Sequence, residues 1–94
     1  MKVVVAFFTT LREVTGKRED EVVLPENADI ETLLTLLSEK YGRPFVDYVY
    51  EEKGEVRGHL QFLVNGRNIK FLQGFKTRLN NGDRVAIIPP VGGG

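Results

Sequence analysis

The sequence predicts an α+β domain in which a mixed sheet of about five strands packs one main helix on one face. Short runs of β-branched and aromatic residues are separated by turn residues, as is typical of strands. Only one long segment repeats apolar residues at helical spacing. The first and last runs are apolar at successive positions, which is expected of central strands. We therefore expect these two strands to be neighbours in the sheet.

The first two strands are predicted from the beginning of the chain. The run from Lys2 to Phe8 is almost entirely β-branched or aromatic, and a second run covers Glu21 to Leu24 and stops at Pro25. A polar segment around Gly16 separates the two runs. This arrangement predicts a hairpin with a long loop.

The main helix is predicted to begin after Asp29, whose side chain can cap the first turn. Its apolar positions recur at helical spacing, at Ile30, Leu33, Leu34, Leu37 and Tyr41. Gly42 and Pro44 are expected to end it. The segment from Phe45 to Tyr50 fits a short second helix or an extended piece equally well, and residues 51–55 form a charged loop.

Three further strands complete the predicted sheet. Residues 60–64 form one strand, and Asn65 and Gly66 suit a two-residue turn leading to a short strand near residues 68–70. The turn residues 80–83 precede a last strand from Arg84 to Ile88. The predicted order of elements is β-β-α-β-β-β.

One face of this sheet has no obvious cover. In the first strand Val3, Val5 and Phe7 point to one side, so the residues between them point to the other. Only one strongly amphipathic helix is available to cover both sides. Either an apolar face stays open as a docking surface, or residues 45–58 fold over it.

Composition narrows the possible functions. The 94 residues suffice for one domain, and their hydrophobic and charged fractions of 41% and 28% are typical of a globular protein. Thirteen basic and thirteen acidic residues give no net charge, which argues against nucleic acid as a ligand. No segment resembles a signal peptide or a membrane span, so we expect a cytoplasmic protein that binds no membrane.

The residue inventory also argues against several kinds of site. The chain has no cysteine, which excludes disulfides, a thiolate nucleophile and cysteine ligands to a metal. His59 is the single histidine and lacks a partner at metal-ligand spacing, and residues 51–55 lack the pattern of a calcium loop. We therefore expect neither a metal site nor a bound cofactor.

The carboxyl terminus is the best candidate for a working group. The last predicted strand continues into Pro89, Pro90 and Val91, and the chain ends with three glycines, Gly92, Gly93 and Gly94. Proline favours an extended chain, and glycine without a Cβ fits a channel too narrow for other residues. A frayed end is the simpler interpretation of such a tail. The two interpretations differ in whether the Gly94 carboxylate reacts.

Three motifs resemble one family. FFTTLREVTG at residues 7–16 is similar to its strand and loop of aromatics followed by Leu-Arg-Glu, and residues 31–42 with 64–66 match its leucine-rich helix and its hairpin. Residues 79–94, LNNGDRVAIIPPVGGG, follow its closing pattern of Gly-Asp-x-Val-Ala, two apolar residues and Pro-Pro-x-x-Gly-Gly. The chain thus resembles the MoaD/ThiS family of sulfur carriers, most closely the small subunit of molybdopterin synthase. Gly92 departs from the pattern, because a small residue with a side chain is more usual there.

The resemblance implies a fold, a tail and a chemistry. It implies a ubiquitin-like β-grasp domain over residues 1–89 and a flexible Gly-Gly tail over residues 90–94. An ATP-dependent activating enzyme would adenylate the carboxylate of Gly94, and a sulfur donor protein would convert it to a thiocarboxylate. The tail would then enter the large subunit of molybdopterin synthase and supply sulfur to a pterin precursor, with molybdenum or tungsten as the eventual metal. The chain would be a non-catalytic subunit and co-substrate without catalytic side chains of its own.

The same resemblance assigns roles to individual residues. The reactive position is Gly94, and the partner-binding tail consists of Pro89, Pro90, Val91, Gly92 and Gly93. Arg12 in the Leu-Arg-Glu element is a candidate for contact with an acidic patch of a partner, and solvation at the surface is equally compatible with it. Phe7 is a candidate partner contact if it lies on the open sheet face.

Other functions remain compatible with these residues. Sulfur carriers for thiamine synthesis or tRNA thiolation share the fold and the tail, although the two prolines favour the pterin branch. A ubiquitin-like modifier would join Gly94 to lysines of target proteins. A β-grasp interaction module with an inert tail is the third alternative.

Overall fold

Five strands form a single mixed sheet in the computed structural model, which describes residues 1–90. The strands are β1 (Lys2–Phe7), β2 (Glu19–Val23), β3 (Gln61–Val64), β4 (Arg67–Asn68) and β5 (Arg84–Ile88). Their order across the sheet is β2-β1-β5-β3-β4. The helices are α1 (Thr10–Thr15), α2 (Ile30–Tyr41) and α3 (Arg43–Val49), and two 3₁₀ turns cover Ile69–Phe71 and Gly74–Lys76.

The first and last strands lie side by side at the centre, as predicted. They run parallel, with Val5 opposite Val85 and Phe7 opposite Ile87. All other strand pairs in the described sheet are antiparallel. Val3, Val5, Val85 and Ile87 have no exposed surface, since these positions face the helices. The buried core therefore packs directly against β1 and β5.

The connection between β1 and β2 differs from the predicted loop. Residues Thr10–Thr15 form a short helix that ends at Gly16, whose φ of 75° lies in the left-handed region. Leu11 is the one buried residue of α1. Six residues with a single buried side chain give no helical periodicity, so the pattern could not show this helix.

The main helix has the predicted bounds and caps. The Asp29 carboxylate accepts hydrogen bonds from the backbone N–H of Thr32 at 2.9 Å and from its hydroxyl at 3.0 Å. These bonds lower the pKa of Asp29, because they favour the charged carboxylate. Gly42 ends the helix with φ of 73°. Four apolar residues of α2 are buried against the sheet: Ile30, Leu33, Leu34 and Leu37.

The third helix packs on the same side of the sheet as α2. Phe45 is fully buried, and its ring lies 6.3 Å from that of Tyr41 in α2, which in turn contacts the ring of Phe7 at 5.9 Å. The idea that residues 45–58 cover the second face is therefore wrong. Within residues 1–90 that face, the outer face, has no helix over it.

The β3–β4 hairpin has the predicted two-residue turn. Asn65 and Gly66 have φ values of 50° and 83°, as a type I′ turn requires. Asn65 also binds the last strand, because its side-chain oxygen accepts a hydrogen bond from the Arg84 N–H at 2.9 Å. The turn fixes the register of β3 against β4, and the bond to Arg84 links the hairpin to β5.

Candidate functional site

The parallel pairing of β1 and β5 determines where the tail leaves the domain. Parallel strands end at the same edge of a sheet, and Phe7 stands opposite Ile87. By the same register Phe8 is level with Ile88, so Pro89 leaves the sheet at the same edge, one position beyond Phe8. Pro89 is half-buried and Pro90 is exposed. We call this edge, formed by Phe8, Arg12, Pro89 and Pro90, the tail exit.

Phe7 does not contribute to the tail exit. Its side chain has no exposed surface and packs edge-on against Tyr41. Phe7 is the last residue of β1, and its side chain points to the face covered by the helices. The next side chain, that of Phe8, points the other way, at the edge of the sheet. The expectation that Phe7 contacts a partner is corrected: Phe8, which is half-buried, is the aromatic residue available there.

Arg12 lies at the tail exit in a fixed arrangement. Its Nε donates a hydrogen bond to the backbone oxygen of Phe7 at 3.0 Å, and its guanidinium carbon lies 5.5 Å from the centre of the Phe8 ring. A cation over an aromatic face is favourable. Arg12 is exposed and can still use its remaining N–H groups.

A tight turn between β1 and α1 brings these two side chains together. The N–H of Leu11 bonds to the oxygen of Phe8 at 3.1 Å, and the N–H of Arg12 to that of Thr9 at 2.9 Å. Thr9 adopts φ 47° and ψ −119°. Few residues other than glycine adopt this conformation, and a β-branched residue is strained in it. The hydrogen bonds and packing around the turn therefore maintain this strained conformation of Thr9.

The outer face extends from the tail exit across the sheet. Its centre consists of apolar side chains that share this face by register: Val4, Ala6, Leu63, Ala86 and Ile88. The Arg84 guanidinium on β5 forms an ion pair with the Glu19 carboxylate on β2, across β1. Ala6 pairs with both Glu19 and Ala86, and its short side chain leaves room for the ion pair.

A polar cluster joins β2 to α2 on the opposite side from the outer face. The buried Asp20 carboxylate accepts hydrogen bonds from Tyr41 Oη at 2.6 Å, Lys40 Nζ at 2.7 Å and Lys17 Nζ at 3.3 Å. Burial alone would raise the pKa of Asp20, but the bonds from Lys40, Tyr41 and Lys17 outweigh it and lower that pKa. Burial, and then the bond to Asp20, raise the pKa of the Tyr41 phenol. Both carboxylate oxygens of Asp20 have hydrogen-bond partners, and we assign the cluster a structural role.

The described residues form no cluster of potential metal ligands. His59 is exposed, and nowhere in residues 1–90 do three histidine, aspartate or glutamate side chains come together as metal ligands. No helix in the described part of the chain has both the length and the apolar character needed to cross a membrane. The predicted site positions Val91, Gly92, Gly93 and Gly94 lie outside the described residues.

Two residues near the tail exit were missed from the sequence. Arg18 and Arg84 line the same shallow depression as Phe8 and Arg12. Their positions depend on the register of β2 and β5 against β1, which no local pattern predicts. Arg18 and Arg84 are separated from Phe8 and Arg12 along the chain, so the sequence does not show that these residues lie together.

The comparisons with known proteins agree with this geometry. The model of the ThiS family matches residues 5–94. Small archaeal modifier protein 3 of Haloferax volcanii is 36% identical over 98 aligned positions that cover all of both chains.

Solved structures share the fold and confirm the β-grasp expectation. The crystal structure of small archaeal modifier protein 1 from H. volcanii has a TM-score of 0.87 and 26% identity over the whole of both chains. A candidate molybdopterin converting factor subunit 1 from Pyrococcus furiosus has a TM-score of 0.70 and 28% identity, over 96% of this chain and 98% of that one. With its β-grasp sheet and diglycine ending, the chain belongs to the ThiS family of ubiquitin-like sulfur carriers and modifiers.

Proposed function

We propose that this chain is the small, sulfur-carrying subunit of a molybdopterin synthase, and that the carboxylate of Gly94 is its working group. The parallel pairing of β1 and β5 carries the proposal, because it brings Pro89 and Pro90 to the rim of the domain immediately before the glycines. A fully extended chain from Pro90 to Gly94 reaches roughly 17 Å. The domain can therefore dock outside an active site while Gly94 reacts within it.

The chemistry begins with activation of Gly94 by an ATP-dependent enzyme. A carboxylate oxygen attacks the α-phosphorus of ATP, the bond to the β-phosphate oxygen breaks, and pyrophosphate leaves. The acyl carbon of the resulting adenylate is electrophilic because AMP is a good leaving group. A hydrosulfide equivalent from a sulfur donor protein attacks this carbon, AMP departs, and a thiocarboxylate remains. An enclosed active site protects the adenylate from water.

Sulfur transfer follows in the large subunit of the synthase. The thiocarboxylate sulfur is a nucleophile held at the end of the tail, and docking of the domain raises its effective concentration at the pterin precursor. Glycines 93 and 94 suit the narrow channel such an enclosed site requires. The outer face and the tail exit, with Phe8 and Arg12, offer the surface that both partners would contact.

Intact-mass spectrometry tests the activation step. Purified chain is incubated with the activating enzyme, ATP and the sulfur donor, and exchange of one oxygen for sulfur at the carboxyl terminus is expected. Gly94→Ala should lose most of this exchange, because the methyl group must enter the channel. Gly92→Ala is the matched control and should retain it, since a small side chain is usual there in the family. Equal thiocarboxylate formation by Gly94→Ala and the unchanged chain would refute the role of Gly94.

Reconstitution tests the acceptor. The thiocarboxylated chain is mixed with the large subunit from the same organism and the pterin precursor, and formation of dithiolene is measured. Consumption of the thiocarboxylate with dithiolene formation supports the synthase role. Thiocarboxylate that persists in the presence of both components contradicts it and leaves the carrier function to another acceptor.

Protein modification is the second candidate function. The full-length identity of 36% to small archaeal modifier protein 3 favours it. In that case the adenylate would be attacked by a lysine Nζ of a target protein, forming an isopeptide bond and releasing AMP. Proteolysis of cell extract followed by mass spectrometry would show lysines bearing the carboxyl-terminal residues of this chain. The same extract from cells expressing Gly94→Ala is the control.

A further inference from the structure

A positively charged depression lies beside the tail exit. It is lined by Phe8 and by Arg12, Arg18, Glu19 and Arg84, which we call the arginine patch. Three guanidinium groups stand there against one carboxylate, although the whole chain has no net charge. The excess positive charge is therefore local.

The backbone fixes the position of each arginine. The N–H of Phe7 bonds to the oxygen of Arg18 at 2.9 Å, which places Arg18 beside the end of β1. Arg84 is paired by register with Val4 on the other side of β1. Arg12 is held by its bond to the oxygen of Phe7. Three separate segments thus supply one surface.

Most of this charge is not neutralised within the domain. Glu19 pairs with Arg84, whereas in residues 1–90 neither Arg12 nor Arg18 forms an ion pair. Both are exposed. Phe8, whose ring lies beside the Arg12 guanidinium, adds a half-buried aromatic surface. A strained residue, Thr9, precedes α1 and helps to fix Phe8 and Arg12, and such strain is typical of binding sites.

We propose that the arginine patch binds an acidic segment of the enzyme that activates Gly94. Charge complementarity identifies the partner chemistry: carboxylates for the exposed N–H groups of Arg12 and Arg18, and an apolar side chain beside the ring of Phe8. The patch adjoins the tail exit, so a segment bound there orients the tail toward the adenylating site. This inference rests on the proposed function and adds the partner surface that positions the tail.

A peptide probe tests the patch independently of any enzyme. NMR titration uses a short blocked peptide in which acidic residues flank a phenylalanine, and a second peptide with lysines in place of the acidic residues. The acidic peptide should shift the amide signals of Phe8, Arg12, Arg18 and Arg84, and the lysine peptide should not. Arg18→Glu should abolish the shifts. Shifts that persist in Arg18→Glu, or that lie elsewhere on the domain, overturn the proposal.

Enzyme kinetics provide the second test, with Arg67→Glu as the matched control. Arg67 is an exposed arginine on β4, at the opposite edge of the sheet from β2, and the substitution changes the charge equally. Arg18→Glu should raise the KM for the carrier about tenfold and leave kcat within about twofold, because docking and not chemistry is impaired. Arg67→Glu should change neither by more than about twofold. Equal KM values for the two variants would overturn the proposal.

The two experiments separate the patch from the proposed function. If the enzyme does not activate Gly94 of the unchanged chain, the proposed function fails, and the peptide titration still decides whether the patch binds acidic segments. If Gly94 is activated and Arg18→Glu behaves like Arg67→Glu, the carrier function stands and the patch proposal fails. Added salt should raise the KM of the unchanged chain more than that of Arg18→Glu.

Discussion

Thr9 shows how a single residue can place functional groups against its own preference. Its φ of 47° and ψ of −119° suit glycine, yet the side chain is a β-branched threonine. The turn it forms sets the end of β1 and the start of α1, and so fixes Phe8 and Arg12 at the tail exit. Local strain here is compensated by the packing of Leu11 and the bonds around the turn.

Replacing Thr9 with glycine tests whether this strain is real. Relief of strain contributes about 1–3 kcal/mol to stability, and the greater freedom of glycine in the unfolded chain removes about 0.5–1 kcal/mol. We expect the free energy of unfolding in denaturant to be unchanged or raised by about 1 kcal/mol. The KM for the activating enzyme should rise, because Phe8 and Arg12 are less constrained.

Thr10→Gly is the matched control for that variant. Thr10 begins α1 and does not have a positive φ, so glycine relieves nothing there and should lower the free energy of unfolding. If Thr9→Gly destabilises the domain as much as Thr10→Gly, Thr9 is not strained.

Neighbouring phenylalanines show what could be predicted at this scale. Alternation along β1 correctly placed Phe7 and Phe8 on opposite sides. It could not show which side the helices cover, because that depends on how α2 and α3 reach the sheet. The partner contact was therefore assigned to Phe7, which is buried, when Phe8 is the accessible one.

Among the elements, β2 and α2 are joined by more than apolar packing. Asp20 on β2 binds Lys40 and Tyr41 of α2, and each bond favours the ionised carboxylate. Its pKa is lower in the folded chain than the ordinary value of 3.8. The contribution to stability is therefore complete above that value and is lost as the pH falls through the lowered pKa.

Asp20→Asn should reveal this dependence on pH. At neutral pH we expect a loss of about 1–3 kcal/mol in the free energy of unfolding, since charge-assisted bonds in a buried site are removed. The loss should shrink in acid, where Asp20 is protonated and the unchanged chain loses the same bonds. Denaturant titrations at a series of pH values measure the difference. Glu21→Gln, at the adjacent exposed position, should show almost no effect; a loss in Asp20→Asn that stays constant into acid would contradict the assignment.

Elements with a distinct sequence pattern were predictable, and the short helices were not. The helix α2 and the strand β5 have the predicted bounds, because α2 has twelve residues with a helical period and caps, and β5 is an apolar run between turn residues and two prolines. The helix α3 was left open, since in seven residues only Phe45 and Val49 are buried. Short helices depend on tertiary packing for their stability, so their own sequences carry little signal.

At the scale of the whole molecule, the two faces of the sheet differ in what packs against them. The helices α2 and α3 lie over one face, and the core cluster of buried residues fills the space between. Over the other face no described element packs, and Leu63, Ala86 and Ile88 remain half-buried there. An apolar sheet face without a helix over it is available as an interaction surface.

Paired substitutions test this difference between the two faces. Phe45→Ala removes a fully buried ring on the helix side and should lower the free energy of unfolding by about 3–5 kcal/mol. Leu63→Ala, on the outer face, should lower it by only about 1 kcal/mol, because the side chain is half-exposed and leaves no closed cavity. Equilibrium unfolding in urea measures both.

In binding to the activating enzyme the order should reverse: Leu63→Ala should weaken the complex, whereas Phe45→Ala should not when measured under conditions in which it is folded. If the two variants lose similar amounts of unfolding free energy, the outer face is part of the core. It would then not be available to bind a partner.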